Sequence, residues 1–340
     1  MGRVWWLVLL LWHGSAGAWM SPYVLRAPLQ PDHGKACVAT PAVQRDVIGV
    51  SFYTDAQHSE ADPALVAANK AAAKPLDDYL RQVQSWSNRY VRLGDAAGAR
   101  CAGQWLQDWA QGQALLGKVN PQGEYERKWR TAGLALAYLQ VKPRLPLAQR
   151  QQIEGWLLQL ATAVQQRYAA RKRESDFNNH AYWAGWSVMT VAVATEQQAL
   201  FDWACDQYRL GLAELQDDGT LPREMARGKK ALAYHQFALL PLVWMAELAS
   251  RQGVNLYEER ERRLSRLVSR VLDSLADPGW MAQQAGRPQE PVSVKGLNAS
   301  WMWLWQQHDP DARLQRWLKG LTSLQAWQVG GDVLLWQVAE

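Results

Sequence analysis

Two short segments carry side chains able to move protons beside an anion. The first is Glu174-Ser175-Asp176-Phe177-Asn178-Asn179-His180-Ala181-Tyr182-Trp183, a polar stretch running straight into an apolar one. Asn178 or Asn179 can cap the helix that starts there. Two amides and an imidazole at a helix N-terminus also suit an anion, because unpaired N–H groups and the helix dipole favour negative charge. The second segment, Arg223 to His235, holds Arg227, Lys230 and Tyr234. On one continuous helix Arg227 and Tyr234 share a face about 10 Å apart, with Lys230 between them. A phenol in such a cationic field has its pKa lowered from about 10 and becomes usable as a base. Each segment also has a plain reading, as a cap and as a solvated basic helix end with a core tyrosine.

Other chemistries find little support. The chain has no His-Glu-x-x-His, no paired Cys-x-x-Cys, no phosphate loop and no Gly-x-Ser-x-Gly elbow. Its six histidines are scattered, so neither a catalytic metal nor a cofactor is expected. Glycoside hydrolysis wants two opposed carboxylic acids, whereas the richest polar cluster offers amide, imidazole, guanidinium and phenol, with Glu174, Asp176 and Glu224 the only acids nearby.

The N-terminus bears on the compartment. Arg3, the apolar run Val4 to Trp12 and the small residues Gly14 to Ala18 read as a secretory signal peptide over residues 1–18. The mature chain, 19–340, is then a single catalytic domain with an N-terminal arm, periplasmic or secreted, with no membrane anchor, and monomeric. Of three cysteines, Cys37 and Cys101 sit in Gly/Ala-containing, loop-like stretches and are expected to pair, while Cys205 reads as a buried helical thiol. The formal charge of +5 falls to +4 when Arg3 leaves. A basic exported protein attracts acidic polysaccharide more readily than nucleic acid, which is not an expected partner.

The elements that must position these side chains are helical. Apolar residues recur at helical spacing over Ala64 to Leu80, Tyr125 to Leu139, Leu147 to Tyr168, His180 to Ala194, Glu196 to Leu215, Arg227 to Ser250, Glu259 to Leu275 and Asp311 to Leu321. Asp62-Pro63 is a helix start, and Pro75 and Pro241 are expected to kink or divide their helices. Short breakers such as Asn120-Pro121-Gln122-Gly123 and Asp217-Asp218-Gly219 force successive helices antiparallel. A ring of helical hairpins with a concave mouth, an all-α, α/α toroid or incomplete barrel, buries all those apolar faces. Ala326 to Val338, around Gly330-Gly331, reads as a small structural hairpin.

Both polar segments resemble one known family. Asn178-Asn179-His180-x-Tyr182-Trp183, then Arg227 and Ala231-Leu232-Ala233-Tyr234-His235, is similar to the alginate lyases of polysaccharide lyase family five. The likeness extends to Lys128-Trp129-x-x-Ala132-Gly133-Leu134-Ala135 and to Pro63 to Leu80. It implies an α/α barrel without a metal that cleaves 4-linked uronate polymers by β-elimination, polymannuronate preferred, leaving unsaturated oligosaccharides. By the same resemblance Asn179 and Arg227 neutralise the C6 carboxylate, Tyr234 takes the C5 proton and protonates the leaving O4, and His180 assists neutralisation or acts as base from the opposite face. Gln122, Tyr125, Trp129 and Trp183 are implied subsite residues, Lys230 and His235 polar contacts to flanking sugars, and Ser51 to Glu60, with Tyr53 and His58, a lid. Lys230 stands where the family pattern has arginine. A broader polyuronate range, polyglucuronate included, and a non-catalytic periplasmic polysaccharide-binding protein are the alternatives.

Overall fold

The computed structural model describes residues 19–337; the signal-peptide expectation for residues 1–18 lies outside the described residues. Asp62 caps the first long helix, its carboxylate accepting from the backbone N–H groups of Ala64 and Leu65, with Pro63 in the first turn. That helix, α1 (Pro63–Leu93), is followed by α2 (Ala96–Gln111), α3 (Pro121–Val141), α4 (Leu147–Ala169), α5 (Asn179–Thr195), α6 (Gln198–Glu214), the one-turn α7 (Pro222–Met225) and α8 (Ala231–Arg251). Leu264–Ala276, Gly279–Ala285 and Leu297–His308 are also helical.

Packing separates these into two rings. α3, α5 and α8 are buried on nearly every side. α5 and α8 are apolar on most faces, as such helices are, whereas α3 buries charged side chains on its N-terminal half, among them Glu126, Lys128 and Arg130. They stand side by side between α1 and the helix Leu297–His308, while α2, α4, α6 and Leu264–Ala276 pack outside them. The architecture is the α/α toroid. Neighbouring inner helices run parallel: Asn69 meets Glu126, Asp77 meets Arg130 and Asn88 meets Gln140, both helices advancing together. The N-termini of α3, α5 and α8 therefore open on the same rim. The tryptophans mostly build this core, with Trp156, Trp183, Trp186, Trp244 and Trp301 almost fully buried.

Several expectations about local structure need correction. Pro75 and Pro241 lie inside continuous helices. Proline leaves the carbonyl four residues earlier without its helical donor. For Pro241 that carbonyl belongs to Phe237, and the Trp183 indole N–H donates to it at 3.1 Å; Ala71, the equivalent residue for Pro75, lies exposed, where water serves. Cys101 sits in helix α2, and Gly103 beside it allows Leu145 to close in where a Cβ would collide. The stretch 227–250 is broken before Ala231, and within 311–321 only short turns of helix form.

The N-terminal arm crosses the outer ring, pinned by the Cys37–Cys101 disulfide and by Arg100 paired with Asp32. Closing a loop of that span is worth about 4 kcal/mol in the chain-entropy model. The double variant Cys37→Ser/Cys101→Ser is expected to unfold at lower denaturant, by up to about that amount, and an unchanged midpoint would show that the arm contributes nothing. Cys205 is free and buried, its thiol pushed up to about 12 by burial, which makes it inert.

At the centre of the ring lies the C-terminal hairpin. Gln325–Ala326 pairs antiparallel with Gly331–Asp332. Its carbonyls accept from inner-helix side chains: Trp327 from Gln84, Gln328 from Trp186, Gly330 from Asn88 and Gln140. Gly330 has φ +97° and Tyr23 and Leu136 pressed against its α-carbon, a position only glycine fills. A cavity of about 610 Å³ remains between the hairpin and α1, lined by Arg81, Arg89, Arg92 and Trp327 among others.

Candidate active site

Each inner helix delivers its part of the cluster from its N-terminal end. At α5 the side chain of Asn178 accepts from the His180 backbone N–H at 3.0 Å and forms the cap. The next residue, Asn179, is fully buried, and both its backbone N–H and its amide Nδ2 donate to Glu224 Oε1 at 2.9 Å. The anion held at the start of α5 is thus the protein's own. Asn179 orients Glu224 and does not lie open to the cleft, which corrects the expectation that this terminus stands free. Burial holds the Glu224 carboxyl above the ordinary carboxylate range, against the downward pull of Asn179 and Arg227.

The break before α8 matters for Arg227. Gly228 takes φ +57°, so the chain turns between α7 and α8 instead of continuing as one helix. The guanidinium consequently comes within 4.9 Å of the Tyr234 ring centroid, closer than two turns of straight helix would allow. Arg227 Nε faces Glu224 Oε2 at 3.7 Å, and Nη1 donates to the Gln57 carbonyl at 3.1 Å and lies 3.0 Å from His58 Nδ1.

The hairpin carrying His58 covers this cluster. Tyr53 bridges to Ala61, and Asp55 accepts from the backbone N–H groups of Ser59 and Glu60. The Tyr234 hydroxyl donates to the His58 carbonyl at 3.3 Å, Lys229 pairs with Glu60 at 2.8 Å, and Lys230 Nζ lies 5.1 Å from the Tyr53 ring centroid. Burial, with Tyr53 adding to it, pushes the Tyr234 phenol well above its ordinary value despite Arg227. That reverses the expected direction: desolvation outweighs the cation.

His180 forms the opposite wall. Its ring stacks on Tyr125, centroids 3.8 Å apart and planes 3° from parallel. Lys128, on the second turn of α3, places Nζ 3.0 Å from His180 Nδ1 and 2.6 Å from the Tyr168 hydroxyl. Burial, then the positive charges of Lys128 and Arg227, hold the imidazole well below its ordinary pKa, so it is neutral at neutral pH. Trp129 packs edge-on against Trp183 and Phe237, and Gln122 turns its amide toward Glu126 at 3.5 Å.

Tyr234, Arg227 and Asn179 are linked through Glu224, and His180, Tyr125 and Trp129 through their rings, the two groups meeting where Asn179 precedes His180 at the start of α5. Lys230 lies at the covering hairpin and Gln122 at the start of α3. Two residues expected at the sugar-binding surface are not available there. Trp183 is fully buried with its N–H spent on Phe237. His235 is fully buried, accepting from the Leu221 N–H on Nε2 at 2.9 Å, which leaves Nδ1–H to donate to the Ala231 carbonyl at 2.8 Å. Among the buried polar atoms without a partner are Trp129 Nε1, Asn179 Oδ1, Glu224 Oε2 and Arg227 Nε, four from this one cluster, so its hydrogen-bonding capacity is not exhausted. Among the described residues no group of three His, Cys, Asp or Glu side chains could hold a metal ion.

Residues 51–281 match the family model described as Alginate lyase. The chain belongs to the alginate lyase family. It is 38% identical to a polysaccharide lyase of Stenotrophomonas maltophilia (strain K279a) over 88% of this chain and 90% of the relative. It is 36% identical to an alginate lyase of Pseudomonas syringae pv. syringae over 83% and 78% of the two chains. The alginate lyase A1-III from Sphingomonas species A1 superposes with a TM-score of 0.76 at 25% identity, covering 89% of this chain and 86% of that one. A histidine-to-alanine variant of A1-III complexed with tetrasaccharide gives 0.78 at the same identity and coverage. As a member of this alginate lyase family the protein is a polysaccharide lyase acting on an anionic polysaccharide, and the cluster on the inner-helix rim is its candidate active site.

Several members of that cluster were weak in the sequence. Glu224 was visible only as a nearby acid, although its position three residues before Arg227 is the spacing of an ion pair on a helical turn. Lys128 was visible only in the family resemblance, and Tyr168 left no signal, because its partners come from α3 and α5.

Buried His235 predicts an acid limb of stability. Its pKa is lowered to about 4 by burial, whereas in the unfolded chain it is about 6.5. The unfolded state therefore binds the proton more tightly, and stability falls as pH drops from about 6.5 toward 4, by up to about 3 kcal/mol. Urea midpoints are expected to decline over that interval in the parent and more shallowly in His235→Gln. Equal slopes would remove His235 from the account.

Proposed function

We propose that this lyase is exported and cleaves 4-linked uronate polymers by β-elimination, with polymannuronate preferred and unsaturated oligosaccharides as products. The observation that carries the reading is Arg227 lying over the Tyr234 ring with neutral His180 across the same rim. A uronate has one weakly acidic C–H, at C5, next to its C6 carboxylate. Removing that proton places negative charge on the carboxylate, so a cation and a hydrogen-bond donor aimed there stabilise the transition state. Arg227 and His180 are those groups, and Asn179 acts by holding Glu224 against Arg227.

Tyr234 then does the proton work. As phenolate it takes the C5 proton, the C5–H electrons become the C4=C5 double bond, the C4–O4 bond breaks, and the phenol returns the proton to O4. One residue suffices when the C5 proton and O4 share a ring face, as in mannuronate and glucuronate. The 51–61 hairpin serves as the lid: it occupies Arg227 through Gln57 and His58, and substrate replaces those contacts. Tyr125, Trp129 and Gln122 flank the sugar, and Lys230 meets a neighbouring carboxylate.

Polymannuronate, polyguluronate, polyglucuronate and polygalacturonate, incubated separately, test the substrate. Fastest initial release of unsaturated ends from polymannuronate is expected. Preference for polygalacturonate, whose C5 proton and O4 lie on opposite faces, would contradict the assignment of Tyr234 to both proton transfers. N-terminal sequencing of the exported protein tests the compartment, with a mature chain starting at Trp19 expected.

A further inference from the structure

We propose that Lys128 is a positioning residue that locks His180 in the tautomer with its proton on Nε2, making His180 a donor to substrate and confining elimination to uronates whose C5 proton and O4 share a ring face. The inference rests on the elimination reading for its substrate consequence and on geometry alone for the tautomer.

Lys128 is fully buried, yet it forms no ion pair among those of the described residues. Its Nζ has three polar neighbours: the Tyr168 hydroxyl at 2.6 Å, His180 Nδ1 at 3.0 Å and the His180 carbonyl at 3.2 Å. An ammonium has three N–H groups and no lone pair, and these three neighbours can all accept. The rings of Tyr125, Tyr168 and Trp129 stand 4.6, 4.8 and 5.5 Å away, distances at which aromatic faces stabilise a cation. Burial opposes that charge, and a neutral amine would fit either tautomer, because its lone pair can accept from Nδ1–H as well as from the Tyr168 O–H. The ammonium, held by three acceptors and three aromatic faces, is the state that fixes the tautomer.

With Nδ1 accepting from Lys128, the proton of a neutral imidazole must sit on Nε2. The Tyr125 ring, stacked 3.8 Å away, resists rotation of the imidazole out of this arrangement. Nε2–H can donate to a carboxylate but has no lone pair with which to take a proton. For the C5 epimer, guluronate, the C5 proton points away from Tyr234, and the base required on that side is the one Lys128 denies. The lysine thereby selects substrate without touching it.

Long-range proton–nitrogen correlation spectra of the full chain, with the His180 signals assigned by their loss in His180→Asn, read the tautomer directly. The expected result is an unprotonated Nδ1 and a protonated Nε2 in the parent, and a shift toward protonated Nδ1 in Lys128→Met. In kinetics, Lys128→Met is expected to lose about tenfold or more in kcat on polymannuronate with KM nearly unchanged, and to raise the polyguluronate-to-polymannuronate rate ratio by about tenfold. Tyr168→Phe, which keeps the amine donors, is expected to retain tautomer and ratio; it also keeps the test alive if Lys128→Met does not fold. A parent with Nδ1 protonated, a Lys128→Met variant with tautomer and ratio unaltered, or a Tyr168→Phe variant with the tautomer reversed would each overturn the proposal. Failure of every polymer to yield a double bond would instead overturn the elimination reading and leave the tautomer result standing.

Discussion

Replacing Tyr234 by phenylalanine is expected to abolish nearly all turnover, by roughly a thousandfold or more, while polymer binding stays within a few-fold of the parent. A residue acting as both base and acid supplies two proton transfers, each worth about two to four orders of magnitude. Phenylalanine keeps the ring that lies under Arg227 and loses the hydroxyl's contacts to the His58 carbonyl, at 3.3 Å, and to Tyr53, each worth about 0.5–1.5 kcal/mol to folding. Because burial raises the Tyr234 phenol, little phenolate exists near neutrality, and kcat/KM is expected to rise with pH into the alkaline range. Burst-free steady-state rates and isothermal binding to polymannuronate separate the two effects. A Tyr234→Phe enzyme with a tenth or more of parental turnover would remove Tyr234 from the chemistry.

Substitution of Arg227 by lysine is expected to cost about a hundred- to a thousandfold in kcat/KM, the range for removing a principal donor to a developing oxyanion. The charge survives, but the planar fork does not. Lysine cannot face Glu224 and also present a fixed pair of N–H groups to a carboxylate, as the guanidinium is placed to do once substrate displaces Gln57 and His58. Both kcat and KM should suffer, because the same side chain anchors the 51–61 hairpin. Loss confined to KM would mean that Arg227 only binds polymer and does not stabilise the charge that develops at C6.

The helical ring was legible because apolar residues repeat at helical spacing between short breakers, and antiparallel hairpins have few ways to bury such faces. The Asp62-Pro63 start followed from local chemistry of the same kind, whereas the Cys37–Cys101 pairing forms although Cys101 lies in α2 and not in a loop-like stretch. The α2 helix escaped because Ala96 to Gln111 contains Gly98 and Gly103, which read as loop but serve close helix packing. The prolines misled because a remote tryptophan N–H supplies the donor that Pro241 lacks, and no local pattern encodes that compensation.

At the site, residue types were legible and their surroundings were not. Tyr234 and Arg227 do lie near each other, but not on one helix face, since the chain turns at Gly228 between them. The direction of the Tyr234 shift is not encoded locally, because the hairpin that covers it lies about 180 residues upstream in a chain of 340. His235 and Trp183 belong to the same motif blocks as the site but point into the core, and only three-dimensional packing distinguishes motif residues that support from those that act.

The central claim is that the polymer is cut by elimination and not by hydrolysis, and one experiment separates the two. Purified protein is incubated with polymannuronate while ultraviolet absorbance of the conjugated C4=C5 double bond and the number of new reducing ends are followed together. Elimination requires one double bond for every reducing end, and that equality is the expected result. Reducing ends that accumulate without the absorbance would contradict it.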